Sequence, residues 1–328
     1  MRRAARGLTG LALVAALLAA VWVWTAVRAP ERAASARVVV EPGTPVRALA
    51  ARLEEQEVIR SALLFELWIR ASGKAGSIQA GTYEIPAGTS LSGVVEALVL
   101  GRTTLASVTI PEGLRLEEQA GVAARALGID SAAFVAAATD SLLADSLGID
   151  AATLEGYLFP ETYRVDPATD ARELVRLMVA QFQRTFGEEW RGRAEELGRS
   201  VREIVTLASI VEEEARVREE RPVIAGVYWN RLRIGMKLEA DPTVQYALGA
   251  HRQRVLYRDL EIDSPYNTYL YPGLPPGPIA SPGRASLEAT LYPDSVPFLF
   301  FFATGEGGRH TFSQTFAEHN RKRRDLNR

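Results

Sequence analysis

Three consecutive glutamates, Glu212, Glu213 and Glu214, lie in a segment whose apolar residues recur at helical spacing. At 100° per residue, the apolar residues between 204 and 215 form one face of the helix, and Glu213 points almost directly away from it. Glu213 is therefore expected to be solvated. Glu212 and Glu214 flank the apolar face on opposite sides, where each could border a cleft. Partial burial raises the pKa of a carboxyl group and keeps it protonated near neutral pH, as a general acid requires.

The same three glutamates also fit a solvated helix face that has no catalytic role. Such a face pairs its carboxylates with nearby basic residues, and the chain offers Arg216, Arg218 and Arg221. Helix geometry does not choose between Glu212 and Glu214 as the acid. The residue types therefore predict either the acid of a glycosidase or a surface cluster of ion pairs.

The composition excludes several classes of protein. The chain has 328 residues, 47% of them hydrophobic and 24% charged, which is enough for about two domains beside a membrane segment. Its net charge of −2 carries no basic signature of a nucleic-acid-binding protein. No cysteine is present, so neither a disulfide framework nor a thiolate metal site is expected. The histidines, His251, His310 and His319, are too scattered for a metal cluster, and no cofactor is predicted.

Residues 8–27 form a run of 20 residues without a charge, which is long enough to cross the hydrocarbon core of a bilayer as a helix. Arginines precede the run and tryptophans lie near its far end, which predicts a cytoplasmic N-terminus and a single-pass protein of the inner (plasma) membrane. A cleaved signal peptide is the alternative, since Ala34-Ser35-Ala36 resembles a cleavage site. The length of the run favours a retained anchor. In both cases the residues beyond about 30 lie outside the cytoplasm.

The pattern along the chain predicts an α+β fold with an N-terminal transmembrane helix, a small module and a larger domain. Residues 1–7 are the cytoplasmic N-terminus, and residues 28–36 are an Ala-rich linker after the span. The small module, residues 37–110, has predicted strands and helices at Arg37–Val40, Val46–Glu55, Ala62–Ser72, Gln79–Ile85, Ser90–Leu100 and Leu105–Ile110. Its opening order of strand, helix, helix and strand is similar to a LysM-like glycan-binding module; a generic spacer domain is the alternative.

The larger domain, residues 111–328, begins with helices and ends in a loop-rich region. The predicted helices are 114–150, one long helix over 170–198, Ser200–Val217 with a capping box of Ser200 and Glu203, 220–233, Ser286–Leu291 and Phe316–Arg328. The segment 264–282 holds six prolines, too many for a regular helix or a central strand. Val296–Ala303 is predicted to be a buried strand with Phe298–Phe302 in the core, and His310–Phe312 to be its partner.

Several motifs of the larger domain resemble a single family. LASIVEEEARV, which contains the three glutamates, runs on into ERPVIAGVYWNRLRIGMKLEADPTVQYALG. LEGYLFPETY precedes these motifs, and SPYNTYLYPGLPPGPIASPG and GRHTFSQTFAEHN follow, so that they extend over residues 154–320. Together they are highly specific, and the chain resembles the membrane-anchored endolytic murein transglycosylases of the MltG (YceG-like) family. The anchor and the LysM-like module also match the layout of that family.

The resemblance implies a catalytic residue and a reaction. The family's helix motif reads roughly S-I-V-E-x-E-[TS], and its second Glu, taken as catalytic, is Glu214 here, followed by Ala215 in place of Thr or Ser. The implied reaction cleaves the β-1,4 bond between N-acetylmuramic acid and N-acetylglucosamine in nascent glycan strands. Glu214 would protonate the glycosidic oxygen and then act as base on the muramyl 6-hydroxyl. Attack of this hydroxyl on the anomeric carbon leaves a 1,6-anhydromuramyl end, and such internal cuts would limit strand length.

Residues within the matching motifs are candidates for contacts with the glycan. Amide and hydroxyl groups suit the hydroxyl and N-acetyl groups of sugars, aromatic faces suit pyranose rings, and a proline-rich loop suits a stiff binding wall. The candidates are Asn230, Asp241, Thr243, Tyr266, Asn267 and His310. The alternative roles are helix capping and core packing for Asn230, helix capping for Asp241, and capping of a sheet for His310.

The implied partners are peptidoglycan glycan strands, the membrane through residues 8–27, and peptidoglycan synthases. Two other functions stay open. A glycan-binding scaffold without activity is weakly favoured by Ala215, whereas Glu214 and the full set of loops argue against it. A muramidase that hydrolyses with water would need a second carboxylate near Glu214. The candidates for that carboxylate are Glu155, Glu161 and Asp241.

Overall fold

The structure is a computed structural model that describes residues 21, 23–25, 27–30, 34–101, 103–249, 255–305 and 307–326. Most of the predicted anchor, residues 8–27, lies outside these residues, as does His251. Within the described part of the chain, no helix is both long enough and apolar enough to cross a membrane. Helices and small two-stranded sheets make up the described elements, so the expected mixed α+β fold is confirmed. The chain divides into two compact units.

The first unit comprises residues up to 106 together with residues 164–169. Its sheet pairs β1 (Ala36–Val40) antiparallel with β2 (Gly81–Ile85). Its helices are α1 (Val46–Glu55), α2 (Ala62–Ala71) and α3 (Leu91–Leu100). Each element contributes at least one buried side chain to the core; in chain order, examples are Val38, Leu49, Phe65, Tyr83 and Leu98. The predicted order of strand, helix, helix and strand is confirmed, with bounds that differ by at most two residues.

The second unit comprises residues 107–163 and 170–328. The strand β3 (Ala106–Thr109), which belongs to this unit from Ser107 onward, pairs with β4 (Thr162–Val165), which belongs to it as far as Tyr163. The strand β5 (Phe300–Ala303) pairs antiparallel with β6 (His310–Ser313). The helices are α4 (Leu116–Leu127), α5 (Ser131–Ala138), α6 (Ser141–Ser146), α7 (Ala171–Thr185), α8 (Glu188–Glu196), α9 (Val201–Glu214), α10 (Arg221–Arg233), α11 (Asp241–Ala247), α12 (Arg284–Leu291) and α13 (Phe316–Leu326). Short 3₁₀ helices occupy Arg218–Glu220 and Tyr257–Glu261.

Helix α9 is buried along most of its length in the second unit. Every residue from 204 to 211 is buried, because α8, α10, α11 and α12 all pack against this helix. The predicted capping box is confirmed: Ser200 Oγ accepts the N–H of Glu203 at 3.2 Å, and the Glu203 carboxylate accepts the N–H of Ser200 at 2.8 Å. Packing on all sides therefore fixes the C-terminal end of α9, where the three glutamates lie.

The helical segment predicted over 114–150 is divided into three helices, α4, α5 and α6, and two other predicted helices differ in extent by more than two residues. The single helix predicted over 170–198 is wrong, because the chain bends between α7 and α8. Phe186 leaves helical geometry with φ −88° and ψ 61° to place its ring in the core, and Gly187 caps α8. Helix α9 ends at Glu214 rather than at Val217, since Ala215 has an extended backbone.

The strand predicted over Val296–Ala303 is also shorter, as β5 covers only its last four residues. The amide of Asn230 donates to the carbonyls of Val296 and Phe298, so a side chain takes the place of a strand partner there. The expectation that Phe298–Phe302 are core is confirmed only in part: of these side chains, Phe301 packs against the buried residues of α9 and α10. These side chains are half-buried, and the last three of them line a cavity.

Glu155 is a buried carboxyl group in the turn between α6 and β4. Its side chain accepts the N–H of Leu116 at 3.2 Å through one oxygen, while the other oxygen has no hydrogen-bond partner among the described residues. Burial raises the pKa of Glu155 to about 8, against the opposing effect of the bond from Leu116. In the folded protein this group is therefore mainly protonated at neutral pH.

We expect Glu155→Gln to flatten the dependence of stability on pH. Since folding raises the pKa of this carboxyl, its contribution is fully present below the unfolded value of about 4.5 and is lost as the pH rises through about 8. Between about pH 5 and pH 9, the wild type should lose on the order of 3 kcal/mol more unfolding free energy than the variant. Urea unfolding across this range measures the difference. Parallel curves for the two proteins would contradict a protonated Glu155.

Candidate active site

The first of the three glutamates, Glu212, is held in an internal ion pair. Its carboxylate lies 2.8 Å from Nη2 of Arg221 and accepts the N–H of Gly283 at 2.9 Å. The two side chains are only 7% and 11% exposed. Removing one partner of a buried pair costs about 3–5 kcal/mol. Glu212 therefore ties α9 to α10 and to the start of α12, and it is poorly placed to donate a proton to a ligand.

The second glutamate, Glu213, is not solvated as its position on the helix predicts. The chain at Gly113 lies over it, so that a Cβ at this glycine would be 2.9 Å from a carboxyl oxygen of Glu213. Burial raises the pKa of Glu213 to about 7, although the charge of Arg115 opposes this shift. The cover comes from a segment about 100 residues away in sequence, which a helical projection cannot include. Glu213 does not line the cavity formed around its neighbour.

The third glutamate, Glu214, is the last residue of α9 and lines a cavity of about 730 Å³. Its Oε1 accepts the hydroxyl hydrogen of Tyr228 at 2.9 Å, and Tyr228 itself is buried in the core. Burial raises the pKa of Glu214 to about 7. The bond from Tyr228 and the charge of Arg231 lower the pKa, whereas Asp241 raises it further. At neutral pH both protonation states of Glu214 are populated, which proton transfer requires.

Arg231, on α10, connects two walls of this cavity. Its Nε donates to the carbonyl of Leu299 at 2.6 Å, and its Nη1 donates to the carbonyl of Leu238 at 2.5 Å. The guanidinium also lies 5.5 Å from the centre of the Phe300 ring. The Arg231 side chain is only 7% exposed, so its hydrogen bonds join these segments inside the protein. Its positive charge faces the same cavity as Glu214.

Two further carboxylates line the cavity, Asp241 and Glu239. Asp241 is the first residue of α11 rather than its cap, which is Ala240, and it accepts the hydroxyl hydrogen of Tyr269 at 2.6 Å. Glu239 has a φ of 47°, a left-handed conformation that is uncommon for a residue with a Cβ. Among the described residues, no three His, Asp or Glu side chains converge as ligands of a metal ion.

Asn230 and Thr243, both predicted to contact the glycan, do not line the cavity. The amide of Asn230 bonds the carbonyls of Val296 and Phe298 at 2.7 and 3.1 Å. Thr243 is fully buried, and its hydroxyl lies 2.8 Å from that of Thr268. These side chains use their polar atoms within the protein and shape the chain around the cavity.

The side chains of Tyr266 and Asn267 likewise make contacts within the protein. Tyr266 packs against Tyr246 with ring centres 4.7 Å apart. Asn267 is fully buried, and its amide donates to the carbonyls of Leu260 and Ile262, both at 2.9 Å. Neither residue lines the cavity. Glu155, which is buried, and Glu161, which is exposed, do not line the cavity either. Of the candidates for a second carboxylate, Asp241 alone lies at the cavity.

His310, at the start of β6, does line the cavity and is held by Glu220. Its Nδ1 lies 2.8 Å from Oε2 of Glu220, and its backbone N–H lies 3.1 Å from both oxygens of that carboxylate. The ring meets Phe301 edge-to-face, with centres 5.4 Å apart. Sequence reasoning did not pair Glu220 with His310, since 90 residues separate them and neither stands in a pattern that points to the other.

Tyr257 and Phe316 were also missed from the sequence, although both line the cavity. Tyr257 is 89% exposed and Phe316 is 62% exposed. Large apolar faces left open beside a cavity are typical of binding surfaces. No sequence signal marks this role in a tyrosine near a loop or in a phenylalanine at the start of a basic helix, because the role depends on how exposed each ring is.

Comparison with known sequences identifies the family of the chain that forms this cavity. The model of the YceG-like family matches residues 38–325. The endolytic murein transglycosylase of Bacillus subtilis (strain 168) is 37% identical over 298 residues, which cover 86% of this chain and 82% of the relative. The protein of the same name from Streptococcus pneumoniae (strain D39) is 28% identical over 315 residues, covering 87% of this chain and 57% of the relative.

A solved structure agrees with these sequence matches. The crystal structure of a YceG-like protein from Listeria monocytogenes superposes with a TM-score of 0.61 at 31% identity, and the match covers 88% of this chain and 99% of that one. The family match begins in β1 and ends in α13, and it includes every residue that lines the cavity around Glu214. The chain therefore belongs to the YceG-like family.

Proposed function

We propose that this protein is an endolytic murein transglycosylase, which cleaves the β-1,4 bond between N-acetylmuramic acid and N-acetylglucosamine inside nascent glycan strands. The observation that carries the proposal is Glu214, a carboxyl group whose pKa burial raises to about 7 and which borders a cavity of about 730 Å³. The names of the relatives from Bacillus subtilis and Streptococcus pneumoniae support the same reading.

In this proposal Glu214 is the general acid. Its proton passes to the glycosidic oxygen while the bond from that oxygen to the anomeric carbon of the muramyl residue breaks. The muramyl ring gains oxocarbenium character, and its own 6-hydroxyl then attacks the anomeric carbon while the hydroxyl proton passes to the Glu214 carboxylate, which restores the acid. The products are a strand with a free 4-hydroxyl and a strand with a 1,6-anhydromuramyl end. Since the nucleophile belongs to the substrate, no second carboxylate is needed as nucleophile.

Residues 8–27 are proposed to anchor the enzyme in the inner (plasma) membrane, after a cytoplasmic segment of residues 1–7. Residues 28–36 would link the anchor to a LysM-like module over 37–110, followed by the catalytic domain over 111–328. The uncharged run of 20 residues and the order of strand, helix, helix and strand in the first unit support this arrangement. An enzyme in this place would meet strands as they are made, with peptidoglycan synthases as its partners, and would terminate their elongation.

We expect Glu214→Gln to abolish cleavage of uncrosslinked glycan strands, because an amide cannot supply the proton. Loss of the acid should lower the rate by at least about 10²-fold. Mass spectrometry of the products should find 1,6-anhydromuramyl ends with the wild type only. Glu213→Gln is the matched control, since its carboxyl has a similarly raised pKa but does not line the cavity; it should keep its activity.

Other products of that experiment would favour the other functions. Reducing muramyl ends would indicate a hydrolase that uses water, with Asp241 as the candidate second carboxylate. Absence of cleavage by a folded wild-type protein would indicate a glycan-binding scaffold.

The rate should also depend on pH in a defined direction. An acid must be protonated, so kcat/KM should fall as the pH rises through about 7, the pKa of Glu214. Tyr228→Phe removes the hydroxyl that stabilises the charged form and should move this fall to higher pH while leaving the core packed. A pH–rate profile of each protein measures the shift. A fall at the same pH in both proteins would show that Tyr228 does not tune the acid.

Tyr257→Ala should weaken binding of the glycan without a large change in kcat. Covering about 50 Å² of an aromatic face is worth about 1 kcal/mol, which corresponds to a rise in KM of about fivefold to tenfold. Tyr292→Ala is the control, because Tyr292 is also an exposed tyrosine but does not line the cavity. Equal KM values for these two variants would exclude stacking on Tyr257.

A further inference from the structure

The contact between Glu220 and His310 has the form of a carboxylate that orients a histidine for proton transfer. The carboxylate can only accept, so Nδ1 of His310 carries the hydrogen in the 2.8 Å bond to Glu220. The other ring nitrogen, Nε2, is then left as an acceptor in the neutral imidazole. Such an arrangement fixes both the tautomer and the direction of the ring, as in other sites where a base is oriented by a third group.

The surroundings of His310 hold the ring toward the cavity. Phe301 meets it edge-to-face at 5.4 Å, and Phe312 lies at 6.4 Å between ring centres. The side chains of His310 and Glu220 are only 5% and 12% exposed, yet His310 lines the same cavity as Glu214. No protein group in the described part of the chain bonds Nε2, so this nitrogen is available to a ligand in the cavity.

We propose that His310 is the base of the reaction and that Glu220 is its positioning residue. This inference rests on the proposed transglycosylase function, and it assigns to His310 the base step that a single-carboxyl mechanism gives to Glu214. As the muramyl O6 bonds to the anomeric carbon, its proton passes to Nε2, and the imidazolium is stabilised by the carboxylate of Glu220. The glycosidic oxygen takes the proton of Glu214. Solvent then removes the proton from His310 and returns one to Glu214, which restores both groups.

If two side chains carry out the two proton transfers, Glu214 does not have to reach both the glycosidic oxygen and the 6-hydroxyl. With one group, Glu214 must give its proton to the glycosidic oxygen, which leaves with N-acetylglucosamine, and then reach the 6-hydroxyl of the muramyl residue. With two groups, each can be placed for its own proton. The acidic and basic side chains that line the cavity with His310 are Glu214, Arg231, Glu239, Asp241, His319 and Arg323, and Glu220 contacts the His310 ring directly.

The test compares pH–rate profiles of the full-length wild type, His310→Gln and Glu220→Gln on uncrosslinked glycan strands. A glutamine at 310 can still bond the 6-hydroxyl but cannot take its proton, so kcat should fall by about 10²-fold or more with little change in KM. The wild type should show an acidic limb that reports a base, and this limb should be absent from the residual activity of His310→Gln. In Glu220→Gln the limb should move to lower pH, because the imidazolium loses its carboxylate.

His319→Gln is the matched control, since His319 also lines the cavity but has no carboxylate partner among the described residues. It should keep the acidic limb. Thermal unfolding of each variant establishes that it is folded. A His310→Gln protein with the kcat and acidic limb of the wild type, or with a raised KM alone, would overturn the proposal while leaving the transglycosylase function intact. A wild type that makes no anhydromuramyl ends would instead overturn that function.

Discussion

The guanidinium of Arg231 donates hydrogen bonds to carbonyls on either side of the cavity, and the shape of the cavity depends on those bonds. Leu299 precedes β5 and Leu238 precedes α11, so one side chain of α10 joins the hairpin to the turn before the next helix. A buried charged donor is costly to leave unpaired, which opposes separation of these segments. The same charge limits how far burial can raise the pKa of Glu214. Arg231 thus sets both the walls of the site and the strength of its acid.

Much of the fold follows from local sequence signals. The capping box at Ser200, the helical spacing of the apolar residues after it, and the glycine-rich turn before His310 predict α9 and the β5–β6 hairpin within a few residues. Local sequence signals do not identify the catalytic acid. Spacing leaves Glu212 and Glu214 equivalent. The resemblance to a family separates them, and the contact of Glu212 with Arg221 and of Glu214 with Tyr228 separates them independently.

The remaining site residues could not be predicted because their roles depend on contacts between distant segments. Asn267 has the composition of a sugar ligand, but its amide is used by carbonyls of its own loop. Glu213 points away from the apolar face of α9 and is nevertheless covered by the chain at Gly113. His310 was singled out from its motif, whereas Glu220, which orients it, was not. A polar side chain has the same sequence signature whether it faces a ligand, solvent or the backbone.

The position of Glu214 as the final residue of α9 links ligand binding to proton uptake. The carbonyl groups at the end of a helix carry a partial negative charge, which disfavours an ionised carboxylate there. Glu214 is only half-buried and the cavity is open to solvent beside the exposed Tyr257, so that water stabilises that charge in the free protein. A saccharide that fills the cavity displaces this water and makes the ionised form less favourable. The acid therefore becomes more fully protonated when its substrate is present, and affinity for the glycan should weaken in alkaline solution even before any bond is broken.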